Sequence, residues 1–251
     1  MSPRRAPEPE PEALRQARAA GLNESCARLS VALRGLHTTD PSTLEQPETD
    51  FMRCYAAARS RAADFAQHLS AFGQATNHPA SARPGGVKKL DRIVEKYSVD
   101  LRLPLDMLAG KVVVDSLWDL YDVASKLPES FRVVGYRDRV VRPQNSGYRD
   151  LQFTVEMGGH YAELKVMHRF IDELDEHEHR LYEIRRGLEA KRESRLFAPE
   201  THAAIPLLST PVLSPIEQLT LDRLKATSAD LFNGAWRLVL AAEQDPARSP
   251  T

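Results

Sequence analysis

The sequence predicts an α+β fold, a small mixed β-sheet with packed helices, flanked by N- and C-terminal helices. Three observations predict it. Two segments of alternating apolar and polar residues, 150–157 and 161–167, are separated by Gly158-Gly159, the signature of a tight hairpin. A helical pattern at 117–126 falls between strand-like segments at 111–115 and 131–136, as a helix packed on a sheet requires. Towards both ends, apolar residues recur only at helical spacing.

Taken in order, residues 1–12 are rich in Pro, Glu and Arg and predict disorder. Residues 13–36 and 50–72 predict helices separated by a loop at 38–48. The stretch 77–86 is dense in Pro, Gly, Ser and Asn and reads as a boundary or flexible entry, so 13–84 is expected to be a helical region with a linker. Residues 85–195 then form the α+β unit, with a helix at 88–97, the strands and helix named above, and a long closing helix from 168 to about 194. The remainder, 196–251, is expected to be a Pro- and Thr-rich connection, a helix over 216–243 and a disordered tail.

Composition limits the function classes. With 42% hydrophobic residues and 27% charged residues in 251, the chain can bury a core. A net charge of −1 gives no global attraction to nucleic acid or anionic membrane, so polyanion binding has to come from local clusters of Lys and Arg. No stretch is long and apolar enough to cross a bilayer, and the start lacks an apolar signal core, so a cytoplasmic location without membrane attachment is expected. Cys26 and Cys54 are too few for a disulfide framework and predict reduced, packed thiols.

Counting outward from the Gly-Gly turn pairs Met157 with His160, Val155 with Ala162, Phe153 with Leu164 and Leu151 with Val166 on an apolar face. Glu156 then faces Tyr161, Thr154 faces Glu163 and Gln152 faces Lys165 on a polar one. Glu163 and Lys165 thus leave the sheet away from the core. Lys88, Arg92 and Lys96 follow at i, i+4 and i+8 on the helix predicted over 88–97, opposite an apolar stripe of Leu90, Ile93, Val94 and Tyr97. Three cations on one face suit a polyphosphate. The turn-rich segment 142–150 ends in Tyr148 and Arg149, and an aromatic beside Arg137, Arg139 and Arg142 is suited to stack on a base. A solvated polar face, a solvated basic helix and a tyrosine that merely plugs its loop are the plainer alternatives for these three features.

Four segments occur in a telling order: Gly85-Gly-Val-Lys-Lys-Leu-Asp-Arg-Ile-Val-Glu-Lys96, Asp106-Met-Leu-Ala-Gly-Lys-Val112, Pro143-Gln-Asn-Ser-Gly-Tyr148 and Ala162-Glu-Leu-Lys-Val-Met167. In sequence and order they resemble the successive motifs of RelA/SpoT-type alarmone synthetase domains. That resemblance implies a stand-alone nucleotidyl pyrophosphokinase, which moves pyrophosphate from ATP to a ribose hydroxyl of a purine nucleotide of the GDP or GTP type. By it, Lys88 and Lys96 match lysines that hold the ATP phosphates, with Arg92, Lys111 and Lys165 as further phosphate-binding candidates. Asp106 matches the aspartate that binds magnesium, and Glu163 the glutamate that completes the Mg2+ site and helps activate the acceptor hydroxyl. Tyr148 matches the tyrosine that stacks on the acceptor's base, with Arg137, Arg149 and Gln152 beside it. The start of the long helix, Glu176 with His179-Arg-Leu-Tyr182, also resembles the family.

The departures fall on residues that hold phosphate and acceptor. Gly86 stands for an arginine, Arg92 for a serine, Lys111 for an arginine, Gln144 for a lysine, Gln152 for a histidine, Lys165 for a glutamine and Met167 for an arginine. Two further readings therefore stand beside synthesis of an alarmone: a toxin-like enzyme whose acceptor is another ribose-bearing molecule such as tRNA, and a nucleotide-binding regulatory module without catalysis. The metal-binding His-Asp cluster of the family's hydrolase domain has no counterpart in the residues before Gly85. The helical ends offer surfaces for self-association.

Overall fold

The computed structural model describes residues 10–37, 39–97, 102–196 and 213–244. Five strands form one mixed sheet: β1 (Ala80–Val87), β2 (Leu108–Val114), β3 (Arg132–Asp138), β4 (Leu151–Met157) and β5 (His160–His168), in the order β1-β2-β5-β4-β3. Only β2 and β5 run parallel; the other three pairs are antiparallel. The helices are α1 (Glu12–Ala19), α2 (Glu24–Leu36), α3 (Phe51–Thr76), α4 (Leu90–Tyr97), α5 (Leu117–Ser130), α6 (Arg169–Leu196) and α7 (Pro215–Glu243).

The hairpin has the register expected from its turn, residue for residue from Leu151↔Val166 to Met157↔His160. Gly158 and Gly159 both take positive φ, 54° and 81°, which is what a two-residue turn matching the strand twist demands. Leu151, Phe153, Val155, Ala162, Leu164 and Val166 are all fully buried on one face. In β2, Gly110 pairs with Leu164 and Val112 with Val166, so the apolar face continues across the parallel pair. Helices α2, α3 and α5 supply the layer over it, through Leu33, Phe65, Leu69, Leu120, Tyr121 and Leu127.

Three elements differ from expectation. The stretch read as a flexible entry contains the edge strand β1, which pairs Ala80 with Val112 and Ala82 with Gly110 before the register shifts. Gly85 and Gly86, at φ 79° and 76°, lie in that irregular part. Breaker residues predict a loop, but a bulged edge strand tolerates them. The first predicted helix is two, α1 and α2, divided by Gly21 at φ 86° and restarted by the Asn23 side chain, which accepts from the Cys26 N–H. Helix α4 begins at Leu90, so Lys88 precedes it; Ile93 is buried, but Leu90 and Val94 are exposed. The thiols of Cys26 and Cys54 are free and fully buried.

Candidate active site

The polar face of the sheet is the floor of a cleft. Because side chains alternate along each strand, Arg137, Gln152, Lys165 and Lys111 form one row across β3, β4, β5 and β2, and Thr154 and Glu163 belong to the next. This face is not bathed in solvent. The segment from Asp40 to Gln46 crosses one side, where the buried Gln46 side chain donates to the carbonyls of Tyr161 (2.9 Å) and Pro104 (3.2 Å) and accepts from the Tyr161 N–H (3.0 Å). Helix α6 crosses the other side and packs on β5 and β2, with α7 packed against it. The space left between them is a cleft of about 780 Å³, of a size for nucleotide-scale ligands.

Both predicted carboxylates face this cleft. Asp106 sits in a single 3-10 turn that leads into β2. Its Oδ2 accepts from Lys88 Nζ at 2.6 Å, with Arg83 Nη2 3.6 Å away. Glu163 accepts from Gln152 Nε2, and its Oε1 lies 3.8 Å from Lys165 Nζ. Ten Arg or Lys residues line the cleft against five Asp or Glu, so a chain of net charge −1 concentrates a positive field at this place.

Lys88, Arg92, Arg137, Tyr148, Gln152 and Lys165 also line the cleft. Arg92 pairs with Glu183 of α6, and Arg137 with Asp40. Despite its desolvation, the Asp40 carboxyl is held down to about 2 by Arg137 and by hydrogen bonds from Ser42. Lys111 and Arg149 do not line the cleft. Lys111 Nζ pairs with Asp172 at 2.5 Å, and Arg149 lies 4.5 Å over the Trp236 ring of α7 while donating to the Val140 carbonyl. The Lys96 side chain lies outside the described residues, as does that of Glu176.

Tyr148 is not displayed. It is 5% exposed, its Oη donates to Asp150 Oδ2 at 3.0 Å, and its ring meets Phe232 of α7 edge to face at 5.4 Å. Beneath it Arg139 holds Asp150 in a buried fork, at 2.6 and 3.1 Å. Lys165 Nζ reaches Tyr148 Oη at 3.4 Å. Burial works against the charge on Lys165, but Tyr148, Glu163, Asp150 and Asp175 outweigh it and push its pKa above the ordinary lysine value.

Asp175, Glu178 and Arg83 are cleft residues that the sequence did not single out. Asp175 and Glu178 line it from α6 together with Tyr182, Arg185 and Arg186, at the three- and four-residue spacing of one helix face. Burial pushes Asp175 up from the ordinary carboxyl value, with Lys165 opposing. Arg185 turns inward to Ser228 at 2.9 Å and Glu178 at 3.5 Å, tying α6 to α7. Arg83 comes from the stretch read as a linker. The α6 spacing was the available signal; for Arg83 there was none.

The donor set suits magnesium. Mg2+ takes one or two carboxylates and completes its shell with water and substrate phosphate oxygens, and Asp106 and Glu163 offer two carboxylates on one cleft. Among the described residues no group of three or more His, Cys, Asp or Glu could hold a metal by protein ligands alone.

No protein-family model matches the sequence, and no curated protein matches it. The fold does have counterparts among solved structures. Small alarmone synthetase 1 from Bacillus subtilis bound to its product pppGpp superposes with a TM-score of 0.52 at 16% identity, over 81% of this chain and 100% of that one. Small alarmone synthetase 2 from the same organism gives 0.51 at 19% identity, over 78% of this chain and 99% of that one. At such identities a likeness speaks for the fold, and the five-stranded mixed sheet with its packed helices is the fold of the small alarmone synthetases.

Proposed function

We propose that the protein is an ATP-dependent pyrophosphokinase whose acceptor is a ribose hydroxyl of a nucleotide, a purine nucleotide first of all. The observation that carries this reading is the pairing of Asp106 and Glu163 on one cation-lined cleft, in a fold similar to a synthetase solved with its product pppGpp. In the reaction the ribose hydroxyl oxygen bonds to the β-phosphorus of ATP, the bond from that phosphorus to the α-phosphate oxygen breaks, and AMP leaves. Glu163, on the rigid strand β5, accepts the hydroxyl proton as general base. Lys88 and Arg92, with Lys96 on the same segment, hold the phosphate chain and neutralise charge as it develops. Bound Mg2+, held by Asp106 and Glu163, would add electrostatic stabilisation of the transferred group.

The departures from the family pattern have local partners: Gln152 donates to Glu163, Lys111 pairs with Asp172, and Met167 is buried. A second reading, nucleotide sensing without transfer, draws on the partners that Asp106 and Glu163 already have in Lys88 and Gln152.

One assay decides. Purified protein is incubated with ATP labelled in the γ-phosphate, Mg2+ and each purine nucleotide, or tRNA, as acceptor. Labelled acceptor is expected with wild type, and a loss of about 100-fold or more in Asp106→Asn and Glu163→Gln with unchanged melting temperature. Equal, negligible transfer by all three proteins, with ATP still bound by wild type, would establish the sensing reading.

A further inference from the structure

Strand β2 runs beside β5 only from Ala109↔Glu163 onwards. Before β2 the chain makes the 3-10 turn Leu105–Met107, which carries Asp106. Tyr161, two residues ahead of Glu163 in β5, therefore lies beyond the end of the β2–β5 ladder, and its backbone groups need other partners. Gln46 supplies them. Its Oε1 accepts from the Tyr161 N–H at 3.0 Å and its Nε2 donates to the Tyr161 carbonyl at 2.9 Å, so the carboxamide completes β5 much as a neighbouring strand would. The same Nε2 reaches the carbonyl of Pro104, the residue from which the Asp106 turn starts, at 3.2 Å. One amide thus ties together the two backbone segments that carry the candidate metal carboxylates, two residues ahead of each. Gln46 is 4% exposed, so water does not compete for these bonds. The segment that delivers it is itself fixed. Thr39 accepts from the Tyr136 N–H of β3 at 3.0 Å, Ser42 accepts from Arg102 Nη1 at 2.8 Å, and Leu44 fills the place where a Cβ on Gly135 would come within 2.7 Å.

Resting on the reading of Asp106 and Glu163 as the magnesium carboxylates, we propose that Gln46 is a positioning residue that sets the spacing of the two for a divalent cation. It does not line the cleft itself and acts through the backbone of Pro104 and Tyr161. Mg2+ demands near-octahedral geometry with short bonds to oxygen, so two carboxylates on separate segments serve it only while those segments keep their distance. Both donors of the Gln46 amide and its acceptor are engaged, which leaves the side chain one orientation and the two segments one separation.

The probe is Mn2+, titrated into the full chain without nucleotide and followed by electron paramagnetic resonance. Gln46→Met has a similar length without the amide, and Gln46→Glu keeps an acceptor for the Tyr161 N–H but sets a carboxylate against two carbonyls. Both are expected to bind Mn2+ about tenfold or more weakly than wild type, the usual effect of removing an outer-sphere partner, although Asp106 and Glu163 are intact. Leu33→Val, which loosens the core under α2 away from the cleft, is expected to bind it as wild type does. Gln46→Ala, which leaves room for water at Tyr161, takes the place of Gln46→Met if circular dichroism shows that protein unfolded. Folded Gln46 variants within about twofold of wild type overturn the positioning role. So does an equal loss in Leu33→Val, which would make the effect one of stability. Asp106→Asn is measured beside them: no Mn2+ binding by wild type, or binding that survives in Asp106→Asn, removes the metal site itself, whereas a loss there without a loss at position 46 removes the role of Gln46 alone.

Discussion

His160 shows at the scale of one residue how position sets chemistry. It faces Met157 beside the hairpin turn, is 1% exposed, and its Nδ1 lies 3.9 Å from the Cys54 thiol. Nε2 is buried without a hydrogen-bond partner among the described residues. Burial, with the charge of Arg61 adding, pushes its pKa down from 6.5 to about 4. The unfolded chain therefore binds the proton first as pH falls. The contribution of a neutral His160 to stability is complete above pH 6.5 and is lost as pH falls through about 4, with a ceiling of about 3 kcal/mol. Urea melts at pH 7 and pH 5 should show a smaller loss of stability for His160→Leu than for wild type; equal losses would mean that other groups carry the acid sensitivity. Strand alternation already set His160 on the apolar face opposite Met157, but only the packing of α3, which brings Cys54 and Arg61 against it, sealed the imidazole there. Glu163 was legible: strand alternation alone aimed it away from the core, and its cleft position follows.

At the scale of elements, local rules succeeded where a segment's pattern and its packing agree. Strands β4 and β5 alternate cleanly, and a one-residue slip would have put Phe153 and Leu164 on the polar face, so turn and pattern specify the same register. Strand β1 failed the same test because its partner, not its composition, makes it a strand. Gly110 in β2 marks the close approach of α3 to the sheet: a Cβ there would lie 2.3 Å from Leu69 Cδ2 and 3.2 Å from both a Phe65 ring carbon and the Ser81 carbonyl oxygen. Gly110→Ala is expected to destabilise by about 1–3 kcal/mol through overpacking, read as a lower denaturation midpoint at unchanged slope. A midpoint equal to wild type would show that α3 shifts without cost.

For the whole molecule, the cleft is an assembly of parts distant in sequence, and α7 joins them. Leu221, Phe232, Trp236 and Val239 are buried along it, whereas Leu219 and Leu231 are exposed. Its Glu243 accepts from the Leu117 N–H, and Leu240 packs so tightly against Gly21 that a Cβ there would come within 2.7 Å. Through Trp236 it anchors Arg149, hence the 142–149 loop on which Tyr148 sits. Trp236→Ala should cost about 3–4 kcal/mol, or roughly 6–16 °C in thermal midpoint, and weaken binding of α,β-methylene-ATP less than it weakens binding of GMP. Equal weakening of both ligands would place the effect on overall stability and not on the loop. The sequence by itself determined the α+β class, the hairpin register, the alignment of Glu163 and Lys165 on one polar face and the helical character of both ends, because these follow from turn chemistry and periodicity within a few residues. Only the tertiary structure decided what covers that face, that Tyr148 is enclosed by Arg139, Lys165 and Phe232, that Arg149 and Lys111 turn away from the cleft, and that α6 supplies its far wall. Those outcomes depend on which surfaces meet across 100 residues or more, as in the bond from Ser30 to Asp138 and that from Gln46 to Tyr161, and no local pattern encodes the meeting of two surfaces.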